Sequence, residues 1–179
     1  MMTTPMIQLV EEATPFTMPS NLKQVLSHSF EYGTAGRNVH TCDARYVWRI
    51  ELISEAGVVT DIAGYVWVSE HLSLREFKGS YINMHVFAPH QKRAVGTEAL
   101  RRVEPLVSGK GIHQLFAQVN GFYPHSGWHV RLWLLDQGYS VHPNQDRTLY
   151  ESLSDRTFAA QCPQPVFFVK DIGQVLPPK

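Results

Sequence analysis

Gln91-Lys92-Arg93-Ala94-Val95-Gly96-Thr97 is the stretch that decides the fold. An apolar, strand-like run precedes it at residues 81–88, and a helix-like run follows it at residues 97–103. A strand that turns tightly into a helix gathers several free backbone N–H groups at the positive end of the helix dipole. Lys92 and Arg93 add two cationic side chains to the same loop. The stretch therefore predicts a seat for a phosphate or pyrophosphate group.

The loop resembles the acyl-CoA-binding motif of the GNAT superfamily of N-acyltransferases. That motif reads Arg/Gln-x-x-Gly-x-Gly/Ala and begins five residues after a strand valine, which is the spacing between Val86 and Gln91. Gly96 keeps the second glycine of the motif, whereas Ala94 stands where the first glycine is usual. A methyl group at Ala94 either crowds the diphosphate or is tolerated if φ stays negative there.

The resemblance implies a fold, a cofactor and a reaction. The fold is an α/β (α+β) domain with a mixed, mainly antiparallel sheet flanked by helices. The cofactor is acetyl-CoA or another acyl-CoA, whose acyl group goes to an amine of a small molecule or a protein. The fourth and fifth strands splay apart around the pantetheine arm, and the loop N–H groups meet the diphosphate. The cofactor-binding positions so implied are Val86, Ala88, Gln91, Lys92, Arg93, Ala94, Val95, Gly96 and Thr97. The alternative is a plain strand–loop–helix junction with solvated side chains.

The residues that the family normally uses for catalysis are missing from the matching positions. Leu134 stands where a tyrosine is usual, Gly127 where an asparagine is usual and Ser80 where a glutamate is usual. Acyl transfer to an amine still needs a base that removes a proton. The candidate replacements are His85, on the strand before the loop, and Tyr123, at the mouth of a later helix.

Histidine titrates near neutrality and therefore suits the role of general base. Strand alternation places His85 on one face with Tyr81 and Asn83, and a bulge in this strand would re-aim all three side chains. Each catalytic candidate also has a structural explanation. His85 would be a half-buried histidine bonded to a backbone carbonyl, and Tyr123 would fill an edge of the core.

Composition narrows the class of protein. A chain of 179 residues is predicted to form one main domain with a sizeable core. The 16 basic and 16 acidic residues balance, which argues against a generally basic nucleic-acid surface. No apolar run approaches the length of a membrane span, and the first residues do not resemble a signal peptide. Two cysteines do not make a disulfide framework, so a reducing cytoplasm is the expected location.

Hydrophobic periodicity and turn residues predict the element order β-α-β-β-β-α-β-α-β-β. A GNAT-like acyl-CoA-binding domain is predicted over residues 1–158, followed by a proline-rich tail over residues 159–179. One apolar run in this tail is expected to dock as an edge strand. A last pair of short strands is predicted at residues 139–141 and 148–150. A homodimer is left open.

Three further patterns have weaker functional interpretations. His125 and His129 are four residues apart and would share a helix face, but no glutamate follows His125, and we predict no metal site. Cys42 has no sequence neighbour that would activate it as a nucleophile. Alternating aromatic residues on two predicted strands suit the core or an acceptor pocket better than base stacking. They are Tyr46, Trp48, Tyr65 and Trp67.

The sequence thus predicts an N-acyltransferase and keeps one alternative from a different class. Gln91, Gly96 and the charged loop favour the enzyme. The missing catalytic residues favour a GNAT-like scaffold that has lost its chemistry and acts by binding another protein. Modification of a nucleic-acid base is a third option, which the neutral net charge does not favour. The acceptor depends on loops at residues 34–43 and 72–77, whose geometry cannot be derived from sequence.

Overall fold

A seven-stranded sheet forms the centre of the molecule. The computed structural model describes residues 4–22, 44–71, 75–119, 130–148 and 166–173. In chain order the strands are β1 (Ile7–Glu11), β2 (Ala44–Ile53), β3 (Val59–His71), β4 (Gly79–Val86), β5 (Gln114–Val119), β6 (Ser140–Val141) and β7 (Val166–Asp171). Their order across the sheet is β1-β2-β3-β4-β5-β7-β6. Only β4 and β5 run parallel among these neighbouring strands, so the predicted mixed, mainly antiparallel sheet is confirmed.

Helices α1 (Val95–Gly109) and α2 (Val130–Asp136) pack against one face of this sheet, the α1 face. In α1, buried apolar residues recur at positions 95, 99, 103 and 107, which is the spacing of one helix face. They pack against side chains such as Ile50 on β2 and Val66 on β3. Leu134 of α2 joins the same core. The main core therefore lies between α1 and the sheet.

The other side of the sheet, called here the opposite face, carries a smaller and more aromatic cluster. Successive side chains of a strand point to opposite faces, so Tyr65 and Trp67 on β3 lie away from α1. Tyr65 packs with Met18 and Leu22, and Trp67 lies against this group. The sequence predicts a first helix at residues 22–30, capped by Ser20 or Asn21, and residues 20–22 are helical. The rest of that helix lies outside the described residues.

β4 and β5 separate soon after they begin to pair. Their register holds at Ser80 with Leu115 and at Tyr81 with Phe116. Each strand then continues without a further register pair to the other in the described structure. The two strands therefore diverge toward the loop that precedes α1, as the resemblance implied.

Strand β7 lies inside the sheet, between β5 and β6. The prediction that the apolar run of the tail docks as an edge strand is therefore wrong, because β7 has hydrogen-bonded neighbours on both sides. Lys170 of β7 donates hydrogen bonds to Glu104 Oε2 at 2.8 Å and to the Gln137 carbonyl at 2.7 Å. The ammonium group thus joins both helices to the strand. The division of the chain at residues 158 and 159 stays a prediction.

One other expectation about the local structure is corrected. Thr148, the first residue of the last predicted strand, is helical together with Arg147, and residues 149–150 lie outside the described residues. The strand that pairs with β6 is β7 instead. Helix α1 continues to Gly109 although Pro105 lies inside it. It tolerates the proline because Arg101, whose carbonyl loses its usual partner, is exposed to water.

The expected bulge in β4 is absent from its pairing with β3, whose register is continuous from Gly64–Val86 to His71–Gly79. The pairing of β2 with β3 is irregular instead, with three register shifts, one of them beside Ile50. Gly64 stands at this point, and a Cβ built on it would lie 2.0 Å from the His85 carbonyl oxygen. The contact involves backbone, so no side-chain movement relieves it. Gly64 therefore lets β3 lie close to the end of β4.

Gly64→Ala is expected to lower the free energy of unfolding by more than about 2 kcal/mol, because the β4 backbone must move to admit the methyl group. Gly109→Ala is the matched control, since a Cβ there meets nothing within 4 Å. Alanine at that helical position should leave stability unchanged or slightly higher. Urea unfolding followed by circular dichroism measures both variants. A Gly64→Ala protein as stable as the parent would contradict the close approach of the two strands.

Candidate functional site

The loop between β4 and α1 passes twice through left-handed backbone. Lys92 and Ala94 both have a φ of 58°, and Ala94 directly precedes α1. The Gln91 N–H bonds to the short turn before it, and the Glu98 N–H bonds to the Ala94 carbonyl. Between them, the N–H groups of residues 92–97 have no hydrogen-bond partner in the described part of the chain. Unpaired donors at the start of a helix are suited to an anion.

The structure corrects the expectation about Ala94. A methyl group was expected to be tolerated if φ stayed negative, whereas Ala94 has φ 58° and ψ 9°. This region favours glycine, and an L-residue with a Cβ pays about 1 kcal/mol to occupy it. Ala94 is exposed, so no buried contact of its methyl group offsets the strain.

Gln91 ties the loop back to the strand. Its side-chain Nε2 donates a hydrogen bond to the Val86 carbonyl oxygen at 2.8 Å. The amide reaches across the intervening turn to the last residue of β4. The five-residue interval between the strand valine and Gln91 thus has a physical reason.

The predicted cofactor residues form one short segment around this turn. Val86 ends β4, and Ala88, which is exposed, begins a 3₁₀ turn. Residues 91–94 are exposed, residues 96–97 are half-buried, and Val95 is buried in the core. Val95 therefore offers a ligand only its backbone.

The first turn of α1 packs against α2 and β4. Trp133 Nε1 donates a hydrogen bond to Thr97 Oγ1 at 2.9 Å, so the indole N–H is directed at α1. A Cβ on Gly96 would meet Met84 Sδ at 3.6 Å and Val86 Cγ2 at 3.8 Å. These are ordinary contacts with apolar side chains. Gly96 can therefore serve an anion through its backbone N–H, while its Cα faces the interior.

Positive charge dominates the start of α1 although a carboxylate lies there. Glu98 is 6% exposed and forms ion pairs at 2.6 Å with both Arg101 and Arg102. The hydrogen bond from Arg101, followed by that from Arg102, lowers the pKa of Glu98 to about 2. Its charge is thus balanced locally. The exposed side chains of Lys92 and Arg93 add their charges to the loop.

A histidine–aspartate pair braces the loop, and the sequence did not predict it. His90 Nε2 lies 2.8 Å from Asp61 Oδ2, and the His90 side chain is 9% exposed. The pair joins the turn after β4 to β3. The two residues are 29 positions apart, and neither lies in a motif that points to the other. His90 Nδ1 has no hydrogen-bond partner among the described residues.

His85, the first catalytic candidate, lies on the opposite face of β4, directly across from Tyr65. Its half-buried ring meets the Phe87 ring edge-on, with 5.6 Å between centroids. Burial lowers the pKa of His85 below its ordinary value of 6.5. The imidazole is therefore neutral at pH 7 and able to accept a proton. Asn83 shares this face and donates a hydrogen bond to Ser69 Oγ at 3.0 Å.

Two of the positions where the family normally has catalytic residues are described. Leu134 is 3% exposed and packs in the main core, so it offers no proton donor. Ser80 lies in the paired part of β4, beside Leu115. Gly127 and the second catalytic candidate, Tyr123, lie outside the described residues.

His125, His129 and Cys42 also lie outside the described residues. In the part of the chain that is described, no group of three or more His, Cys, Asp or Glu side chains is placed to hold a metal ion. None of the described helices is both long and apolar enough to cross a membrane. Trp48 and Tyr65 are buried, as expected of aromatic residues that line a core.

Comparison with known proteins identifies the fold. No family model matches the sequence, and no curated protein matches it. An IAA acetyltransferase from Bacillus cereus has a TM-score of 0.59 at 13% identity, with 93% of this chain and 99% of that chain covered. A proposed acyl-CoA N-acyltransferase from Klebsiella pneumoniae has a TM-score of 0.53 at 15% identity, with coverage of 94% and 98%. A proposed GNAT-family acetyltransferase from Desulfovibrio desulfuricans has a TM-score of 0.51 at 14% identity, with coverage of 94% and 100%. The chain therefore has the fold of the GNAT superfamily, as the loop motif predicted.

Ala94→Gly is expected to raise the free energy of unfolding by about 0.5–1 kcal/mol, because relief of left-handed strain exceeds the entropy that glycine adds to the unfolded chain. Ala56→Gly is the control, since Ala56 is an exposed turn residue without a positive φ. That change should lower stability slightly. Urea unfolding of both variants makes the comparison. If Ala94→Gly is no more stable than the parent, Ala94 does not hold the left-handed conformation.

Proposed function

We propose that the protein is an acyl-CoA-dependent N-acyltransferase, which transfers an acetyl or another acyl group to an amine of a small molecule or a protein. One observation carries the proposal: the unpaired N–H groups of residues 92–97 lie at the start of α1, beyond the end of β4 toward which β4 and β5 diverge. Diverging strands offer backbone groups to an extended amide chain such as pantetheine. The N–H groups offer hydrogen bonds to the diphosphate.

The proposed anion site consists of the backbone N–H groups of the loop and the positive charges of its side chains. Each charge-assisted N–H to phosphate bond contributes about 1.5–3 kcal/mol. Ala94 keeps its backbone N–H, and its exposed methyl group leaves the other donors of the loop in place. The departure from the glycine motif therefore does not remove the site. Lys92 and Arg93 would add attraction for the phosphates, and Glu98 would not oppose it because two arginines neutralise it.

His85 is the proposed general base. In the transfer, the amine nitrogen forms a bond to the thioester carbonyl carbon, and the carbon–sulfur bond breaks. The amine proton passes to His85, and CoA leaves as a thiolate that takes up a proton. A histidine that burial keeps neutral at pH 7 is ready to accept that proton. Tyr123 remains the second proposed catalytic residue.

A scaffold without chemistry is the alternative function. The observation that favours it is the burial of Leu134 at the position where the family has its tyrosine. The neighbouring Trp133 directs its N–H to Thr97. On this alternative the protein would act by binding another protein, with or without CoA. A cytoplasmic location and a homodimer remain predictions from sequence.

Lys92→Glu combined with Arg93→Glu is expected to weaken acetyl-CoA binding by about 10- to 100-fold at low ionic strength, because two exposed cations beside the phosphates are reversed. In the parent, acetyl-CoA at a hundredfold excess over its Kd should stabilise the fold by about 2.7 kcal/mol. Calorimetric titration and a thermal-shift assay measure the two effects. No shift of the parent with millimolar acetyl-CoA or CoA would refute the cofactor proposal.

Arg75→Glu combined with Lys78→Glu is the matched control for this experiment. Both residues are exposed and lie just before β4, at the other end of that strand from the loop. The change in net charge is the same, so a general electrostatic effect would appear in both double variants. Equal losses of affinity would show that the phosphates do not bind at residues 92–97.

His85→Gln is expected to lower kcat by roughly 100- to 10,000-fold while the Kd of acetyl-CoA is unchanged, because glutamine keeps hydrogen bonding but cannot titrate. In the parent, kcat/KM should rise with pH through a range below 6.5, since burial lowers the pKa of His85. His142→Gln is the control, because burial also lowers the pKa of His142 but its Nδ1 accepts a hydrogen bond from Asn144 N–H. Full turnover in a folded His85→Gln protein would exclude His85 as the base.

A further inference from the structure

The surroundings of His85 on the opposite face are aromatic. Half-buried Phe16 lies against Tyr65, with 5.6 Å between ring centroids, and Tyr65 meets Phe87 edge-on at 6.2 Å. Phe87 in turn meets His85 at 5.6 Å. These four rings form a continuous row, called here the aromatic row, that ends at the candidate base. Phe16, Phe87 and His85 are each partly exposed.

A second aromatic group lies on the same face at the other end of β4. Tyr81, Phe116 and Phe167 form a buried cluster with Phe77 packed against it. Asn83 and His85 therefore have rings on both sides along the strand. Apolar surface flanks the point at which β4 and β5 diverge.

The side chains that β3 and β4 place on this part of the opposite face include no carboxylate. Residues 65, 67, 69 and 71 of β3 and residues 81, 83 and 85 of β4 include none. Charged groups of this face lie on both sides of it. On the β7 side, Asp171 shares the face of Phe167 and Val169 and accepts a hydrogen bond from Gln114 Nε2 at 3.0 Å. On the β2 side, Arg49 pairs with Glu12 and, at 2.7 Å, with Glu51. Gln8 donates a further hydrogen bond to Glu51 at 2.6 Å. These carboxylates are already bound to partners.

We propose that the acceptor is a primary amine on an aromatic or apolar body, bound with its ring against the aromatic row and its nitrogen at His85. The proposal rests on the acyltransferase function proposed above. Ring-to-ring contacts favour such a body by roughly two- to tenfold in affinity for each good pair. A polyamine would have to lose water from its extra ammonium groups, and the described residues of β3 and β4 on this face offer no carboxylate to receive them.

The chemistry at the nitrogen agrees with this class of substrate. A single ammonium group must lose one proton before it attacks the thioester, and the neutral imidazole of His85 accepts one. The amine nitrogen then bonds to the acyl carbon, the carbon–sulfur bond breaks, and the second nitrogen proton passes to the departing thiolate. The products are an amide and CoA as its thiol, and His85 releases the first proton to water. No second charged group of the acceptor is required.

The test compares phenethylamine and tryptamine with putrescine and spermidine on the full-length protein. Turnover is measured at saturating acetyl-CoA, and amine binding is measured by calorimetry with and without CoA. The arylalkylamines should have a kcat/KM, or in the absence of turnover an affinity, at least tenfold higher than the polyamines. Equal or reversed preference, in turnover or in binding, overturns the proposal.

Phe87→Leu is the variant that tests the row itself, since it keeps apolar volume and removes the ring. It should raise the KM or Kd of phenethylamine by roughly two- to tenfold and leave the Kd of acetyl-CoA unchanged. Leu106→Ala, an exposed change on α1, is the control and should alter neither value. Unchanged phenethylamine binding in folded Phe87→Leu overturns the proposal. Acetyl transfer to polyamines alone would overturn the proposed acceptor class but would support the acyltransferase function. Absence of acetyl-CoA binding would refute the acyltransferase function itself.

Discussion

The early separation of β4 from β5 is the constraint on which the rest of the structure depends. Two register pairs hold the strands together at Ser80 and Tyr81, and beyond them each strand follows its own neighbour. β4 stays bound to β3 as far as Val86, and β5 stays bound to β7 as far as Val119. The gap between them is therefore held open from both sides by antiparallel pairing. It is part of the sheet and needs no ligand to form.

The loop after β4 is held by contacts that leave its N–H groups untouched. Gln91 bonds to the Val86 carbonyl, and His90 bonds to Asp61 on β3. Trp133 fixes the hydroxyl of Thr97 from the side of α2. All these bonds are made by side chains, and the backbone donors of the turn remain unpaired in the described structure. A rigid loop with unused donors is preorganised for an anion.

The sequence predicted the parts of the site that depend on local order. The strand, the loop and α1 follow one another, and the interval between Val86 and Gln91 reflects one local hydrogen bond. The positive φ of Ala94 could not be predicted, because alanine rarely adopts it and nothing in the residue type signals it. The His90–Asp61 pair was missed since it forms only when β3 and the turn meet.

The position of β7 was missed for a related reason. An apolar run that follows several prolines is typical of a strand added at the edge of a sheet. The strands that pair with it lie far away in the sequence. Only the assembled sheet shows that Val166 and Phe168 are fully buried between β5 and β6. The contact between Lys170 and Glu104 was not predicted either, because the two residues are 66 positions apart in the sequence. The local sequence pattern thus predicted the type of most elements, but it did not predict which strands lie next to each other.

The interior place of β7 also determines the order in which the sheet is completed during synthesis. β5 and β6 are translated before β7, yet each needs β7 as its hydrogen-bonded neighbour. Until residue 171 has left the ribosome, one edge of β5 stays open, and open apolar edges invite pairing with other chains. Gln114 must wait for Asp171, 57 positions later, to find its strand partner. The edge of β5 that pairs with β7 therefore stays open for longer in a growing chain than the edges of a sheet built from successive hairpins.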